Sequence, residues 1–191
     1  MSGGTVPSWR EVSHGMYGAW RLACLDSAAM AWFARGIGGV WRSFWAAAIT
    51  YPGFILIISL LVTDQQWVSA GGFRILLVES IGYVVSWTVF PLVILPICHW
   101  LERDEQSLEF ITAYNWSQVL QTVLALIGLI AFRFLPAGGS AIYLALLAAR
   151  LGYEWFIART ALEAGGVAAT TVVLIDLVLS EAVAQVTQSL Y

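Results

Sequence analysis

Five long apolar stretches dominate the chain, and short polar or glycine-rich segments separate them. A helix rises ~1.5 Å per residue, so about 20 apolar residues cross the ~30 Å hydrocarbon core of a bilayer. Each stretch reaches that length. The pattern therefore predicts an all-α polytopic membrane protein with five transmembrane helices, at about residues 40–62, 73–100, 111–134, 140–161 and 166–190.

The segments between and within these stretches differ in character. Thr63–Gly72 is polar and is predicted as a loop, and residues 101–107 are the most charged part of the chain and are predicted as a turn in water. Proline removes a backbone donor, so Pro52 predicts a kink in the first span. In the same way Pro91 and Pro96 predict a bend towards the end of the second span.

Residues 1–36 precede the first span and have a different composition. Residues 1–7 are small and polar and are predicted as a disordered leader. From Ser8 to Gly36 aromatic residues are interleaved with Arg at low overall hydrophobicity, which predicts an amphipathic helical region lying in the membrane interface. A helix packed on the cytoplasmic loops is the alternative. Asp26 is placed to cap a second short helix.

The predicted division of the chain is a cytoplasmic N-terminal region, residues 1–36, followed by a five-helix transmembrane domain, residues 37–191. Aromatic and Arg side chains around this boundary are predicted to sit at the headgroup level of the membrane. These interface anchors are Trp20, Trp32, Trp41, Arg42 and Trp45.

Composition agrees with this class. Of the 191 residues 60% are hydrophobic and 11% are charged, against roughly 25% charged in soluble domains. A net charge of −3 argues against a nucleic-acid partner, which needs a clustered basic face. Arg residues collect on the side of the N-terminus, which predicts a cytoplasmic N-terminus and an external C-terminus. That side has Arg10, Arg21, Arg35, Arg42, Arg103 and Arg159, and the opposite side has Arg74 and Arg133.

Charged residues inside the fourth and fifth stretches need a physical account. Arg150 and Glu154 lie in the fourth stretch and Asp176 in the fifth, and a charge costs roughly 2.5–3.5 kcal/mol at the centre of a span. If the two spans form a hairpin that turns near Glu163, Arg150 and Asp176 lie equally far from the turn, at a depth of roughly 20 Å. They can then neutralise each other, and Glu154, one helical turn from Arg150, can share the guanidinium.

Two interpretations of this cluster are open. A buried salt-bridge cluster would fix the pairing and register of the fourth and fifth spans, whereas a proton or substrate path would use Asp176 as the titrating group, tuned by Arg150. In the third span Asn115, Gln118 and Gln121 are predicted in the inner half to the middle of the bilayer. There they line the intramembrane polar cluster or form interhelical hydrogen bonds.

No pattern of reactive residues indicates catalysis. The chain has no GxSxG nucleophile motif, no phosphate-binding glycine loop and no acidic metal cluster in a span. Cys24, Cys98, His14 and His99 are predicted near the inner interface, but no pair has the spacing of a metal site. The sequence therefore predicts no catalytic, cofactor-binding or metal-binding residue, and a protein that is not an enzyme.

Aromatic residues at two span entries resemble a known family. Trp32–Gly36 followed by Trp41–Trp45, together with Ala113–Trp116 at the opening of the third span, resemble the Yip domain (Ypt-interacting protein) family of five-span membrane proteins. The resemblance is greatest to an uncharacterised bacterial inner-membrane branch. It implies a cell inner membrane location, a cytoplasmic N-terminus and a short C-terminus in the periplasm, and it implies no catalytic residue.

The sequence favours a non-enzymatic membrane scaffold or accessory subunit that acts through contacts with membrane lipid, with other membrane proteins or with itself. Ten Trp residues, several of them at predicted interfaces, support it. The alternative is a small proton-coupled transporter or permease in which Asp176 titrates beside Arg150. Prolines that open the bundle around the charges would favour the transporter, and prolines that only bend helices outside it would not.

Overall fold

The computed structural model describes residues 6–191, so residues 1–5 of the predicted leader lie outside it. The described chain consists of α-helices, one short 3₁₀ helix and connecting segments, and it contains no strand. In chain order the elements are α1 (Trp9–Ala23), the 3₁₀ helix (Ser27–Trp32), α2 (Gly36–Ser43), α3 (Trp45–Leu61), α4 (Asp64–Ala70), α5 (Gly72–Trp100), α6 (Asp104–Phe134), α7 (Gly139–Ala161) and α8 (Gly166–Gln188).

Five helical units of the described chain are long and apolar enough to cross a membrane. The first is α2 with α3, Gly36–Leu61, and the others are α5, α6, α7 and α8. The prediction of an all-α fold with five spans is confirmed, and the protein is a multi-pass membrane protein. We call the side on which the first span begins the N-side, and the opposite side the far side.

The first span is interrupted at Phe44 and not at its proline. Phe44 ends α2 and begins α3, and its backbone N–H bonds to the Arg42 carbonyl oxygen. α3 continues through Pro52, and α5 continues through Pro91 and Pro96. The prolines therefore do not divide any span into separate half-helices.

The segment predicted as a loop between the first two spans contains a helix, α4. The Thr63 hydroxyl group accepts from the Gln66 backbone N–H, and the Gln66 side chain accepts from the Thr63 backbone N–H. This reciprocal capping satisfies two donors at the helix start, which explains why a short polar segment is helical. Gly71, with a φ of 81°, then separates α4 from α5.

α6 is the central helix of the bundle and packs against α1, α2, α3, α5 and α7. Every residue from Phe110 to Ser117 is buried, so neighbours surround this stretch on all sides. α6 begins at Asp104, earlier than the predicted Ile111, and its first turns extend the helix on the N-side. There Glu109 forms an ion pair with Arg35, 3.2 Å from its Nε.

α7 and α8 form the helical hairpin that the sequence predicts. The chain turns at residues 162–165, where Glu163 has a φ of 49°. Across the turn the Trp155 indole N–H donates to the Gly166 carbonyl oxygen at 3.2 Å and to the Thr170 hydroxyl oxygen at 3.1 Å. These bonds fix the register of the two helices on the N-side.

α1 docks on the N-side of the bundle. Ser8 and Glu11 form a capping box at its start, and Asp26 caps the 3₁₀ helix that follows, as predicted. The Tyr153 hydroxyl group donates to the Ala19 carbonyl oxygen at 2.7 Å, and Gly15 lies against the Trp116 ring. α1 therefore packs on the helices of the bundle, which is closer to the alternative of a helix packed on the cytoplasmic loops, and its contact with the membrane interface stays a prediction.

The five predicted interface anchors differ in exposure. Trp20, Trp41 and Trp45 are exposed, as a headgroup contact requires. Trp32 instead packs edge-on against the His14 and Tyr17 rings. Arg42 Nε lies 2.7 Å from Glu11, because docking of α1 brings that carboxylate to it, and its place at the headgroup level stays a prediction.

Candidate functional site

A cavity of about 330 Å³ lies among α3, α5, α6, α7 and α8. All five spans contribute to its wall, and both apolar and polar side chains line it. Two charged residues of the predicted cluster, Arg150 and Asp176, lie in this wall. Other polar lining residues are Thr50, Glu79, Tyr83, Ser86, Tyr114, Asn115, Gln118, Thr122, Ser180, Thr187 and Gln188.

The depth of Arg150 and Asp176 follows from the hairpin. Both are the same number of residues from Glu163, where the chain turns, so both lie near the middle of their spans. α6, packed against α7, adds Tyr114 at the same level. The Tyr114 hydroxyl group donates to Asp176 Oδ1 at 2.6 Å.

The predicted ion pair between Arg150 and Asp176 is wrong. Asp176 is close enough for an electrostatic interaction with Arg150, but Arg150 takes part in none of the direct ion pairs of the described chain. Its Nε is buried and has no hydrogen-bond partner there. The Asp176 carboxyl group instead accepts a hydrogen bond from the Tyr114 hydroxyl group.

Glu154 lies behind the cavity wall and is 3% exposed. Its carboxyl group lies near that of Asp176, while its Oε1 has no hydrogen-bond partner in the described chain. Arg150, Glu154 and Asp176 thus form one cluster, but it contains a carboxyl pair and an unpaired guanidinium in place of the predicted salt bridges.

The three predicted amide side chains of α6 have different positions. Asn115 and Gln118 line the cavity, and Gln121 does not. Asn115 Nδ2 donates to the Ser43 hydroxyl oxygen in α2 at 2.9 Å, the interhelical bond that the sequence suggests. Gln121 Nε2 donates to Ser117 in its own helix at 3.2 Å. Gln118 therefore remains as an amide group facing the cavity.

An aromatic seam, formed by Tyr51, Phe54, Tyr83 and Trp87, joins α3 to α5 beside the cavity. The Tyr83 ring centroid lies 4.6 Å from that of Phe54 and 6.0 Å from that of Trp87. The Tyr83 hydroxyl group donates to the Ala47 carbonyl oxygen at 2.7 Å. Tyr83 and Trp87 are one helical turn apart, so the sequence indicates that they share a face of one helix. It does not indicate which other helix that face contacts.

A second, smaller cavity of about 190 Å³ adjoins the first. Arg150, Ile57 and Leu61 line both cavities. The remaining walls of the smaller cavity come from α6 and α7 and are apolar except for Tyr143. These residues are Leu124, Ala125, Gly128, Leu129, Tyr143, Leu146 and Leu147.

The far side of the larger cavity has its own polar contacts. The Tyr191 hydroxyl group donates to Glu79 Oε1 at 2.5 Å, and Arg74 Nη2 donates to the Leu190 carbonyl oxygen at 2.6 Å. Glu79 is therefore held by Tyr191. Among the residues that line the cavity, Arg150 is the cationic side chain. Among residues 6–191 no three His, Cys, Asp or Glu side chains are grouped closely enough to hold a metal ion.

Comparison of the chain with models of protein families, with curated proteins and with solved structures finds no match. The resemblance to the Yip domain family therefore stays a prediction from the sequence.

Proposed function

We propose that the protein is a small proton-coupled carrier in a bacterial inner membrane, with its N-side in the cytoplasm and its far side in the periplasm. The observation that carries the proposal is the cavity of about 330 Å³ that holds Arg150 and Asp176 at mid-depth. Protein interiors are otherwise close-packed, and charges in the bilayer are costly. A carrier needs a cavity for its solute, and charged groups in the wall of such a cavity are typical of solute and proton paths.

Proton coupling is supported by the charge of the cluster. Arg150 supplies one positive charge, and Glu154 and Asp176 supply two carboxyl groups within electrostatic reach of it. With both acids ionised the cluster carries one net negative charge, and a single proton cancels it. Asp176 lies in the cavity wall while Glu154 lies behind it, so Asp176 is the group that meets solute and protons. The other titratable side chains that face it are Tyr114, Tyr83 and Glu79.

The described spans are not broken at their prolines, so the feature that would have favoured a transporter from the sequence is not met, and the carrier is proposed on the cavity and its charges instead. α3 and α5 stay continuous and meet chiefly through the aromatic seam, where Tyr83 bonds to Ala47 and lies 2.5 Å from the Thr50 hydroxyl oxygen. Parting of this seam would widen the mouth of the cavity without unfolding either helix. The seam is therefore the proposed gate of the carrier.

Transport is tested in proteoliposomes that contain the trapped pH dye pyranine. We expect some members of a panel of small carboxylates, amino acids and sugars, added outside, to drive protons inwards with the wild-type protein. Asp176→Asn should abolish this signal, and the control Asp64→Asn should not, because Asp64 lies in α4 outside the spans. Equal proton flux with Asp176→Asn and wild type, or no flux with any solute, would contradict the proposal.

A second candidate, the accessory subunit, is favoured by one face of α7. Small residues at helical spacing are exposed there, and such faces let transmembrane helices approach closely. They are Ala141, Ala145, Ala148, Ala149 and Gly152. A partner helix on this face would account for their exposure.

This candidate is tested by purification in mild detergent from the native membrane at native expression, with mass spectrometry of stoichiometric partners. If α7 binds a partner, Ala145→Leu should lower its yield, and Val178→Leu on the exposed face of α8 should not. A protein that comes off alone, or a yield that both variants leave unchanged, would speak against the accessory subunit.

A further inference from the structure

We infer that the carrier's substrate is a monocarboxylate with one apolar tail, a phenyl group or a short alkyl chain. Its carboxylate binds the Arg150 guanidinium, and its tail occupies the adjoining cavity of about 190 Å³. The inference rests on the proposed function, since it names the substrate class of that same site.

The first support is the state of Arg150. A guanidinium has five N–H donors, and the Nε–H of Arg150 is buried without a partner in the described chain. An unsatisfied buried donor is costly, and more so when it is charged. A carboxylate matches the fork of a guanidinium with two parallel hydrogen bonds. Gln118, which also faces the cavity, offers a further amide donor.

The second support is the shape and chemistry of the smaller cavity. Its wall is apolar apart from Arg150 and Tyr143, so it offers no partners for a polar tail. An apolar cavity of about 150 Å³ is known to hold a benzene molecule. A cavity of about 190 Å³ therefore accepts a phenyl ring or a short chain, and it is too small for the two acyl chains of a phospholipid.

The third support is the charge around the guanidinium, which selects a single negative charge. Glu154 and Asp176 lie near Arg150, and Glu79 lies in the same wall. The chain has no Lys, and no second Arg lines either cavity. A dianionic phosphate ester would meet one cation and several carboxyl groups, so repulsion would oppose it.

Binding is measured with the whole protein in phosphatidylcholine nanodiscs, with tritiated 4-phenylbutyrate as the probe and empty nanodiscs as the blank. We expect saturable binding, competition by unlabelled 4-phenylbutyrate, and at least about tenfold weaker competition by 4-phenylbutanol, which lacks the charge. Phenyl phosphate should compete more weakly than 4-phenylbutyrate. These comparisons use only the wild-type protein and do not depend on the folding of a variant.

Two variants locate the ligand. Arg150→Gln should weaken binding of the probe about tenfold or more. Ala125→Leu should fill the smaller cavity and weaken binding of the probe to a similar extent, whereas Ala182→Leu, at an exposed position of α8 that lines neither cavity, should have little effect. Equal competition by the alcohol and the acid, or unchanged binding in Ala125→Leu, would overturn the inference.

The outcomes also separate this inference from the proposed function. Saturable binding that depends on Arg150, with no proton flux in proteoliposomes, would support the carboxylate site and remove the carrier. Proton flux with other solutes, without binding of 4-phenylbutyrate, would keep the carrier and overturn the substrate class.

Discussion

At the scale of single residues, the hydrogen bond from Tyr114 to Asp176 determines how the charged cluster is arranged. Its length is 2.6 Å, and it joins the central helix α6 to α8. Arg150 lies within electrostatic reach of Asp176 but forms no direct ion pair in the described chain. Asp176 is thus bound by a phenol hydroxyl group, and the guanidinium remains for the ligand proposed above.

Tyr114→Phe should remove that bond and leave the Asp176 oxygen buried without its donor, at a cost of about 1–3 kcal/mol. We expect a lower midpoint of thermal unfolding in detergent, followed by intrinsic fluorescence. Tyr143→Phe is the matched control, because it removes the hydroxyl group of an exposed tyrosine whose ring contacts Phe132. A similar loss in both variants would show that the bond to Asp176 contributes nothing specific.

Glu11 is the residue through which α1 responds to pH. Its hydrogen bonds from the Ser8 backbone N–H and hydroxyl group, together with the Arg42 guanidinium, hold the pKa of the carboxyl group below its usual 4.5, although burial acts to raise it. A group with a lowered folded-state pKa contributes stability above its unfolded-state pKa, and that contribution is lost as the pH falls through the folded-state value. The capping box at the start of α1 and its contact with Arg42 should therefore weaken in acid.

The measurement is hydrogen exchange of α1 backbone amides between neutral pH and pH values below 4.5, corrected for intrinsic exchange. Wild-type α1 should lose protection at the acid end, and Glu11→Gln should show reduced protection already at neutral pH with less change on acidification. The control Glu105→Gln replaces an exposed acid of the first turn of α6. A wild-type protection that does not change with pH would contradict this role of Glu11.

At the scale of elements, α1 docks through glycine. A Cβ atom at Gly15 would lie 2.6 Å from Trp116 Cδ2, and Trp116 is buried among helices and cannot move away. Gly15→Ala should therefore push α1 off the bundle, with a cost of about 1–3 kcal/mol typical of overpacking. Limited proteolysis should cut α1 faster while the spans stay intact.

Gly152→Ala is the control for this substitution, because nothing lies within 4 Å of a Cβ at Gly152. Within a helix the same change there is neutral or slightly stabilising. If Gly15→Ala and Gly152→Ala gave the same cleavage rate as wild type, the contact of α1 with Trp116 would not hold the helix.

The five spans could be predicted because a membrane helix needs only length and hydrophobicity, both of which are local properties of the sequence. The α7–α8 hairpin could be predicted because its turn at Glu163 is short and polar. α4 was missed although Thr63 and Gln66 have the spacing of a capping box. The segment was predicted as a loop because its residues are polar on average, and that average does not register two capping residues. The docking of α1 needs Trp116, far away in the sequence, and no local pattern indicates it.

The candidate site could be predicted only in part, because some of its features follow from local patterns and others depend on contacts between distant parts of the sequence. Equal depth of Arg150 and Asp176 follows from counting residues along two helices. The cavity does not, because it depends on how far α3 and α5 stand apart, which the packed side chains of all five spans decide together. Which side chain contacts Asp176 also depends on how α6 is rotated about its axis. The sequence therefore could not show whether Asp176 binds the Tyr114 hydroxyl group or the Arg150 guanidinium.

At the scale of the whole molecule, the distribution of Arg is asymmetric, and the structure indicates what the residues do there. On the N-side Arg21, Arg35 and Arg42 form ion pairs with Asp26, Glu109 and Glu11. These Arg residues hold the N-terminal region in place, and they also count towards the predicted orientation of the protein in the membrane. The positive-inside rule counts Arg regardless of these pairs, because Asp and Glu contribute little to it.

The orientation can be measured with the chain's own cysteine. Cys24 is exposed on the N-side and Cys98 is buried, and Ser189 is exposed on the far side. In cells that express Cys98→Ala, a membrane-impermeant maleimide should label Cys24 only after lysis. In the triple variant Cys24→Ser, Cys98→Ala, Ser189→Cys, it should label the new thiol in intact cells. The reverse pattern would place the N-side outside, and the proton gradient would then reach Asp176 from the opposite side of the cavity.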